Sequence, residues 1–255
     1  MRKISVLPSV ITLGNLTSGF ASIIYAADGE FGKAGWMILL GMIFDALDGQ
    51  VARLTRTAGT FGIQLDSLCD VITFGLAPAV LINRLCVSSG WPAAPEAWLF
   101  SALYVACAAL RLARFNVGTG VEEEDHESFH GLPSPAAAGQ IATLVILNDH
   151  LSAQPILSLP SRPIVAVLPV VGLVMGGLMV SRVPYIHMGD RLFKGQRPFA
   201  HLVVLIFLCI CMALNIIWSM AGVFTAYTVV GIIYGIRQKL AKPPERLAGL
   251  LDDEE

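Results

Sequence analysis

Four aspartates lie in two neighbouring apolar stretches of the sequence, where carboxylates are rare. Asp45 and Asp48 are three residues apart and Asp66 and Asp70 are four apart, so each pair falls on one face of a helix. A charged side chain at the centre of a membrane helix costs about 2.5–3.5 kcal/mol on insertion scales, and such residues are functional candidates by default. The spacing therefore predicts two helices that each present a pair of carboxylates.

The two predicted helices are joined by a short connection near residues 54–60, which makes them antiparallel neighbours. With a rise of about 1.5 Å per residue, Asp48 and Asp66 lie at similar depth from this connection. Asp45 and Asp70 lie about one helical turn deeper. We therefore expect all four carboxylates to converge on one pocket.

Four ionised carboxylates in a poorly solvated pocket require a cation, because repulsion and desolvation would otherwise protonate them. A ligand set of oxygens, without cysteine or histidine, favours Mg²⁺, Mn²⁺ or Ca²⁺. Two such ions form a clamp that assists displacement at phosphorus, so the pattern favours a diphosphate site. Two alternatives stay open at this point, namely a carboxylate-lined path for ion transport and structural ion pairs with arginines.

The whole chain has the composition of a membrane protein, since 55% of its 255 residues are hydrophobic and only 14% are charged. A helix needs about 20 apolar residues to cross the bilayer core. We predict an all-α integral membrane protein, with a transmembrane catalytic domain at residues 1–240 and a charged cytoplasmic tail at 241–255. The predicted bundle has about eight transmembrane helices, at residues 7–27, 34–54, 60–86, 95–117, 132–151, 162–181, 198–219 and 221–240.

The basic residues predict the orientation of the bundle. If the N-terminus is cytoplasmic, every lysine and arginine lies on the cytoplasmic side except Lys33, Arg84 and Arg162. We therefore expect a multi-pass protein of the inner membrane with both termini in the cytoplasm. The first apolar stretch contains Asn15 and several hydroxyl groups, which favours a retained helix over a cleaved signal peptide. The net charge of −2 gives no indication of nucleic-acid binding.

Residues 45–70 read DALDGQVAR, then eight residues, then GIQLDSLCD. This segment resembles the DxxDGxxAR(x8)GxxxDxxxD signature of the CDP-alcohol phosphotransferases. The resemblance implies a helical membrane enzyme, usually a homodimer, that binds a CDP-alcohol and two divalent metal ions and releases CMP. By position it implies that Asp45, Asp48 and Asp66 are metal ligands. It implies that Asp70 is the general base, with a possible share in metal binding.

The same resemblance implies a site for the nucleotide and diphosphate of the donor. Gly49 and Ala52 would leave room for the cytidine, and Arg53 would support the nucleotide or the acidic cluster. Gly62 would allow two helices to approach closely. Asn15 belongs to an opening segment that is also similar to the family, and we assign it to donor binding.

A second region resembles the bacterial and archaeal members of the family that transfer a phosphatidyl group from CDP-diacylglycerol to L-serine. It consists of RLARFN at residues 111–116 and FHGLPSPAA at residues 129–137. Two arginines at the end of a helix suit the binding of a carboxylate or phosphate. The resemblance implies that acceptor binding involves Arg111, Arg114, Asn116 and Ser134.

Each feature of this second region also has a simpler interpretation. The two arginines equally suit an anchor at lipid headgroups, and Pro133 and Pro135 equally suit a plain helix start. The acidic residues 122–125 would attract the serine ammonium group or form a solvated loop. Within the family the alternative acceptor is glycerol 3-phosphate, and outside it the alternative function is ion transport.

Overall fold

A computed structural model describes residues 6–55, 59–90, 96–118, 131–153, 162–181 and 215–241. These residues form helices joined by turns, with no strand among them. A π-helical segment, Val71–Leu76, joins α3 to α4 without a break. The α-helices are α1 (Val6–Ala27), α2 (Phe31–Thr55), α3 (Thr60–Asp70), α4 (Ala77–Ser88), α5 (Ala97–Gly118), α6 (Ser134–Ser152), α7 (Arg162–Val180) and α8 (Ile216–Ala241).

The predicted all-helical membrane fold is confirmed, and the count of eight spans stays a prediction. Helices α2 and α6 belong to the bundle without combining the length and apolar composition of a typical membrane span. Two of the aspartates lie on α2, and most of α6 is buried by its neighbours. Within the described residues, five helical stretches are long and apolar enough to cross a membrane, namely Leu7–Ala27, Phe61–Ser88, Ala97–Asn116, Pro163–Val180 and Ile216–Gly235.

The predicted boundary between the last two spans is wrong. We expected spans at 198–219 and 221–240, but α8 runs unbroken through residue 220. This stretch contains no proline, and the glycine at position 222 is tolerated inside the helix, so the apolar sequence holds no signal for a break. Residues 198–214 of the predicted seventh span lie outside the described residues, as does the tail from residue 242 onward.

Helices α1 and α2 form a hairpin and pack against each other along much of their length. Gly29 makes the reversal possible, because its φ of 83° is a left-handed conformation that glycine adopts without steric cost. The N–H of Glu30 bonds to the carbonyl of Tyr25 at 2.9 Å and closes the turn. The hairpin places the polar residues of α1 beside the aspartates of α2.

Helix α6 is the most enclosed helix in the described part of the chain, and it packs against α2, α7 and α8. Small residues such as Ala138 and Ala142 are fully buried, which lets neighbouring helices approach. Gln140 donates a hydrogen bond to the Thr225 hydroxyl of α8 at 3.2 Å. Close packing and such bonds hold helices together in lipid, where apolar burial between helices contributes little.

Two sets of contacts distinguish the two ends of the bundle. At one end, Arg84 near the end of α4 donates to the carbonyl of Ala27 at the end of α1, at 2.8 Å. At the other end, the N–H of Leu132, just before α6, bonds to the carbonyl of Leu178 in the last turn of α7, at 3.0 Å. The second end is where α2 and α5 finish and where α3 and α6 begin, and it holds the candidate site.

Close contact between α1 and the π segment predicts that Gly19 cannot accept a side chain. A β-carbon at this position would lie 2.7 Å from the Cα atom of Thr73. We expect Gly19→Ala to lower the free energy of unfolding by about 1–3 kcal/mol, because the helices must move apart. The measurement is the thermal unfolding midpoint in detergent. Gly177→Ala is the control, since nothing lies within 4 Å of its β-carbon position. Equal midpoints for the two variants would contradict this packing.

Candidate active site

Three of the four aspartates form a compact cluster. One carboxylate oxygen each from Asp45, Asp48 and Asp66 lies within 4.8 Å of the other two. Asp48 is buried and the other two are half-buried. The local cause is the three-residue spacing on α2, which directs both of its carboxylates toward the first turns of α3.

The helices that carry this cluster are neighbours, as expected, because the π segment and α4, which continue α3, both pack against α2. Helix α1 packs against both α2 and α3. No atom of the described residues lies within 4 Å of a β-carbon built at Gly49 or Gly62. Contrary to expectation, no helix of the described part of the chain approaches Gly62 closely, and both glycines border open space there. Gly49 follows Asp48 and Gly62 lies one turn before Asp66, so a cleft that no described atom fills adjoins the cluster and leaves room for a ligand.

The cluster has the chemistry of a divalent metal site. Oδ2 of Asp48 and Oδ1 of Asp66 are buried and have no hydrogen-bond partner within the described ranges. Buried carboxylate oxygens are costly unless they are paired or bind a cation. A set of three carboxylates supplies the hard oxygen ligands that Mg²⁺, Mn²⁺ and Ca²⁺ prefer. These three side chains could therefore hold a metal ion.

Asp70 lies beside this cluster, within electrostatic range of Asp45 and Asp66, but it is not one of the three mutually close ligands. Its Oδ1 atom accepts a hydrogen bond from Nδ2 of Asn15 at 3.0 Å, and both side chains are buried. Asn15 was assigned to donor binding from the sequence, and in the structure it contacts the predicted general base. Its own Oδ1 is buried and has no partner among the described residues.

The end of α5 brings two of the predicted acceptor residues to the site. Nη1 of Arg111 donates to the buried hydroxyl of Ser134 at 2.8 Å. Arg111 is half-buried and lies within electrostatic range of Asp70 and Asp45. Its guanidinium therefore lies close enough to interact with carboxylates from both aspartate-bearing helices.

Asn116 and Arg114 differ from Arg111 in their surroundings. Nδ2 of Asn116 donates to the hydroxyl of Ser67 at 2.9 Å, next to Asp66. Arg114 is exposed, as is Arg53, which was assigned to the nucleotide. Ala52 is half-buried. The structure therefore separates the two arginines of α5, and the headgroup-anchor interpretation fits Arg114 better than Arg111.

The prolines before α6 fit the simpler interpretation. Pro133 caps the helix with an extended conformation, and Pro135 lies in the first turn, where a missing N–H costs nothing. The acidic run at residues 122–125 lies outside the described residues. These two features therefore add no side chain to the site as it is described.

Three hydroxyl groups lie near the aspartates, of which the sequence indicated Thr12, as part of a first helix that faces a polar site, but not Thr73 or Ser67. The Thr12 side chain contacts the carboxylate of Asp48, and the Thr73 hydroxyl donates to the backbone carbonyl of Asn15 at 3.0 Å. Ser67 bonds to Asn116 as described above. Their positions could have indicated a role in the site, because each hydroxyl lies within three residues of a site residue on the same helix.

Comparison with known proteins places this site in a family. Residues 5–178 match the model of the CDP-alcohol phosphatidyltransferases. The chain is 42% identical over 142 residues to a CDP-diacylglycerol–serine O-phosphatidyltransferase of Helicobacter pylori. This alignment covers 56% of this chain and 58% of that protein. It is 41% identical over 146 residues to the archaetidylserine synthase of Methanothermobacter thermautotrophicus. That alignment covers 56% of this chain and 59% of the synthase.

The chain thus spans less than two thirds of the length of these two relatives. A longer alignment links it to a CDP-diacylglycerol–serine O-phosphatidyltransferase of Methanocaldococcus jannaschii, with 30% identity over 194 residues, 76% of this chain and 80% of that protein. The family match includes all four aspartates, Asn15, Arg111 and Ser134. The chain belongs to the CDP-alcohol phosphatidyltransferase family.

Proposed function

We propose that this chain transfers a phosphatidyl group from CDP-diacylglycerol to the hydroxyl of L-serine, giving phosphatidylserine and CMP. The observation that carries the proposal is a cluster of three carboxylates with Arg111 in electrostatic range of Asp45 and of the neighbouring Asp70. Relatives named for transfer to serine supply the choice of acceptor. Divalent metal and a half-buried guanidinium suit a reaction between a diphosphate and an amino acid.

The aspartates would hold two divalent ions, Mg²⁺ or Mn²⁺. Asp45, Asp48 and Asp66 are the principal ligands, and Asp70 has a possible share. When bound, the ions would neutralise the diphosphate of the donor and the charge on the departing CMP. The open space beside Gly49 and Gly62 would receive the cytidine and diphosphate.

Asp70 is the proton acceptor in this proposal. Its carboxylate takes the proton of the serine hydroxyl, and the serine oxygen forms a bond to the phosphorus that carries diacylglycerol. The bond from that phosphorus to the CMP oxygen breaks. The hydrogen bond from Asn15 orients the Asp70 carboxylate, which matters because proton transfer requires a hydrogen-bonded geometry.

Arg111 would bind the serine carboxylate, and Ser134 would orient the guanidinium. Asn116 would hold the start of α3 through Ser67. We also propose that the chain is a homodimer in the inner membrane, with both termini and the site on the cytoplasmic side. The distribution of basic residues supports this orientation, which gives soluble serine access to the cleft.

Acceptor-dependent release of CMP tests the function. With purified protein in detergent, CDP-diacylglycerol and Mn²⁺ or Mg²⁺, we expect serine to stimulate CMP release more than glycerol 3-phosphate or other alcohols. Chelation should stop turnover, and added metal should restore it, because the donor diphosphate needs a counter-charge. Preference for glycerol 3-phosphate would replace L-serine as the proposed acceptor. The absence of CMP release with every alcohol would favour the transport alternative. An archaetidyl donor in parallel distinguishes the lipid tails.

Metal binding should separate Asp66 from Asp70. We expect Asp66→Asn to weaken Mn²⁺ binding by more than about tenfold, because it removes a charged ligand from the cluster. Asp70→Asn should weaken it less, since Asp70 lies beside the cluster. Titration of free Mn²⁺ by electron paramagnetic resonance gives both affinities. Asp28→Asn, in the exposed turn after α1, is the control. Equal losses at positions 66 and 70 would make Asp70 a principal ligand.

The two arginines of α5 should differ in their effect on serine. We expect Arg111→Ala to raise the KM for serine more than the KM for CDP-diacylglycerol, because a charge-assisted hydrogen bond contributes about 1.5–3 kcal/mol. Arg114→Ala is the matched control from the same helix, and its exposed side chain should have little effect. Initial rates at varied serine and donor concentrations measure both constants. Identical KM values in the two variants would support the headgroup-anchor interpretation for both arginines.

A further inference from the structure

The helix that carries Asp66 and Asp70 changes its winding directly after Asp70. In the π segment, the N–H of Ala77 bonds to the carbonyl of Ile72, five residues back instead of four. Pro78 follows, and its ring nitrogen has no hydrogen to donate. The carbonyl four residues before it belongs to Phe74. This carbonyl therefore lacks the donor that regular α-helical bonding would provide.

A side chain from another helix donates a hydrogen bond to this carbonyl. The hydroxyl of Tyr104, on α5, donates to the carbonyl of Phe74 at 3.0 Å. Tyr104 and Phe74 are both fully buried, so water cannot replace this bond. In a membrane bundle, backbone groups freed by a proline must be satisfied by neighbouring helices. The Tyr104 hydroxyl has this role here.

The π segment is also tied to α1 by a second bond. The Thr73 hydroxyl donates to the backbone carbonyl of Asn15, and the side chain of Asn15 donates to Asp70. All three residues are buried. Asp70 is thus joined to one side of the π segment through Asn15, and Tyr104 holds the other side. Helix α4, which follows, is packed in the core through Leu81 and Leu85.

We propose that Tyr104 is a positioning residue for Asp70. Its bond to Phe74 stabilises the π winding. That winding determines how Asp70 is rotated about the helix axis relative to α4, which is packed in the core. Asp66 lies a full turn before Asp70, within the α-helical part of the same helix. Loss of the Tyr104 hydroxyl should therefore misdirect the base and leave the metal cluster in place. The effect on turnover rests on the proposed function, in which Asp70 accepts the serine proton.

Tyr104→Phe removes one oxygen atom and tests the proposal. We expect kcat to fall by about tenfold or more, because small misplacements of a catalytic group have large kinetic effects. The KM for CDP-diacylglycerol and the affinity for Mn²⁺ should change little. Ser101→Ala is the matched control, since Ser101 is a buried hydroxyl of the same helix that donates within α5, to the carbonyl of Ala97 at 3.0 Å.

A second variant separates the lost bond from lost packing. Pro78→Ala added to Tyr104→Phe restores a backbone N–H four residues after Phe74, and part of the lost kcat should return. A variant that fails only through poor folding would not recover in this way. No recovery in the double variant, together with unchanged amide exchange of residues 71–77 in Tyr104→Phe, would overturn the proposal. A raised KM for serine at unchanged kcat would overturn it as well, because Tyr104 would then act through Arg111, which lies within its electrostatic range.

Hydrogen exchange gives a readout that does not depend on turnover. Amides of residues 71–77 should exchange faster in Tyr104→Phe than in the wild type or in Ser101→Ala, because the π segment loses an anchor. Unchanged exchange would overturn the proposal even if no alcohol acts as acceptor. A wild type that releases CMP with serine, together with a Tyr104→Phe variant of equal kcat, would overturn only this proposal. A wild type without CMP release would overturn the proposed function instead.

Discussion

Placing several carboxylates inside an apolar bundle is the constraint on which the rest of this structure depends. Each buried charge must find a cation, a hydrogen-bond donor or water, since lipid offers none of these. The cluster of Asp45, Asp48 and Asp66 leaves buried oxygens free for a cation, whereas Asp70 receives a donor from Asn15. The same four residues are thus divided into two chemical environments by what faces them.

Helix α1 has a larger part in the site than the aspartate signature suggests. It packs against both aspartate-bearing helices and against the π segment that follows Asp70. It also supplies Thr12 to Asp48 and Asn15 to Asp70. Small residues make this contact possible, as Gly19 lets the backbone of the π segment lie directly against α1. A helix without acidic residues therefore determines how the acidic ones are presented.

The interrupted helix after Asp70 follows from the same rule that every buried polar group needs a partner. Pro78 removes a backbone donor in a place that water cannot reach, and Tyr104 replaces it from α5. Arg111 lies on α5 as well, two turns further along. Helix α5 thus holds the carbonyl of Phe74, close to the predicted base, and also carries the arginine that bonds to Ser134.

Local spacing in the sequence was enough to predict the helical membrane class, the aspartate-bearing helices and the convergence of Asp45 with Asp48, because residues three or four apart share a helix face in any context. The family signature indicated the reaction class as well, and it could be identified from the sequence because its positions all lie within residues 45–70. Only the tertiary structure decided that Asp70 pairs with Asn15 and that Arg111 lies within electrostatic range of Asp70 and Asp45. These outcomes depend on the rotation and contacts of helices distant in sequence, which no local pattern specifies.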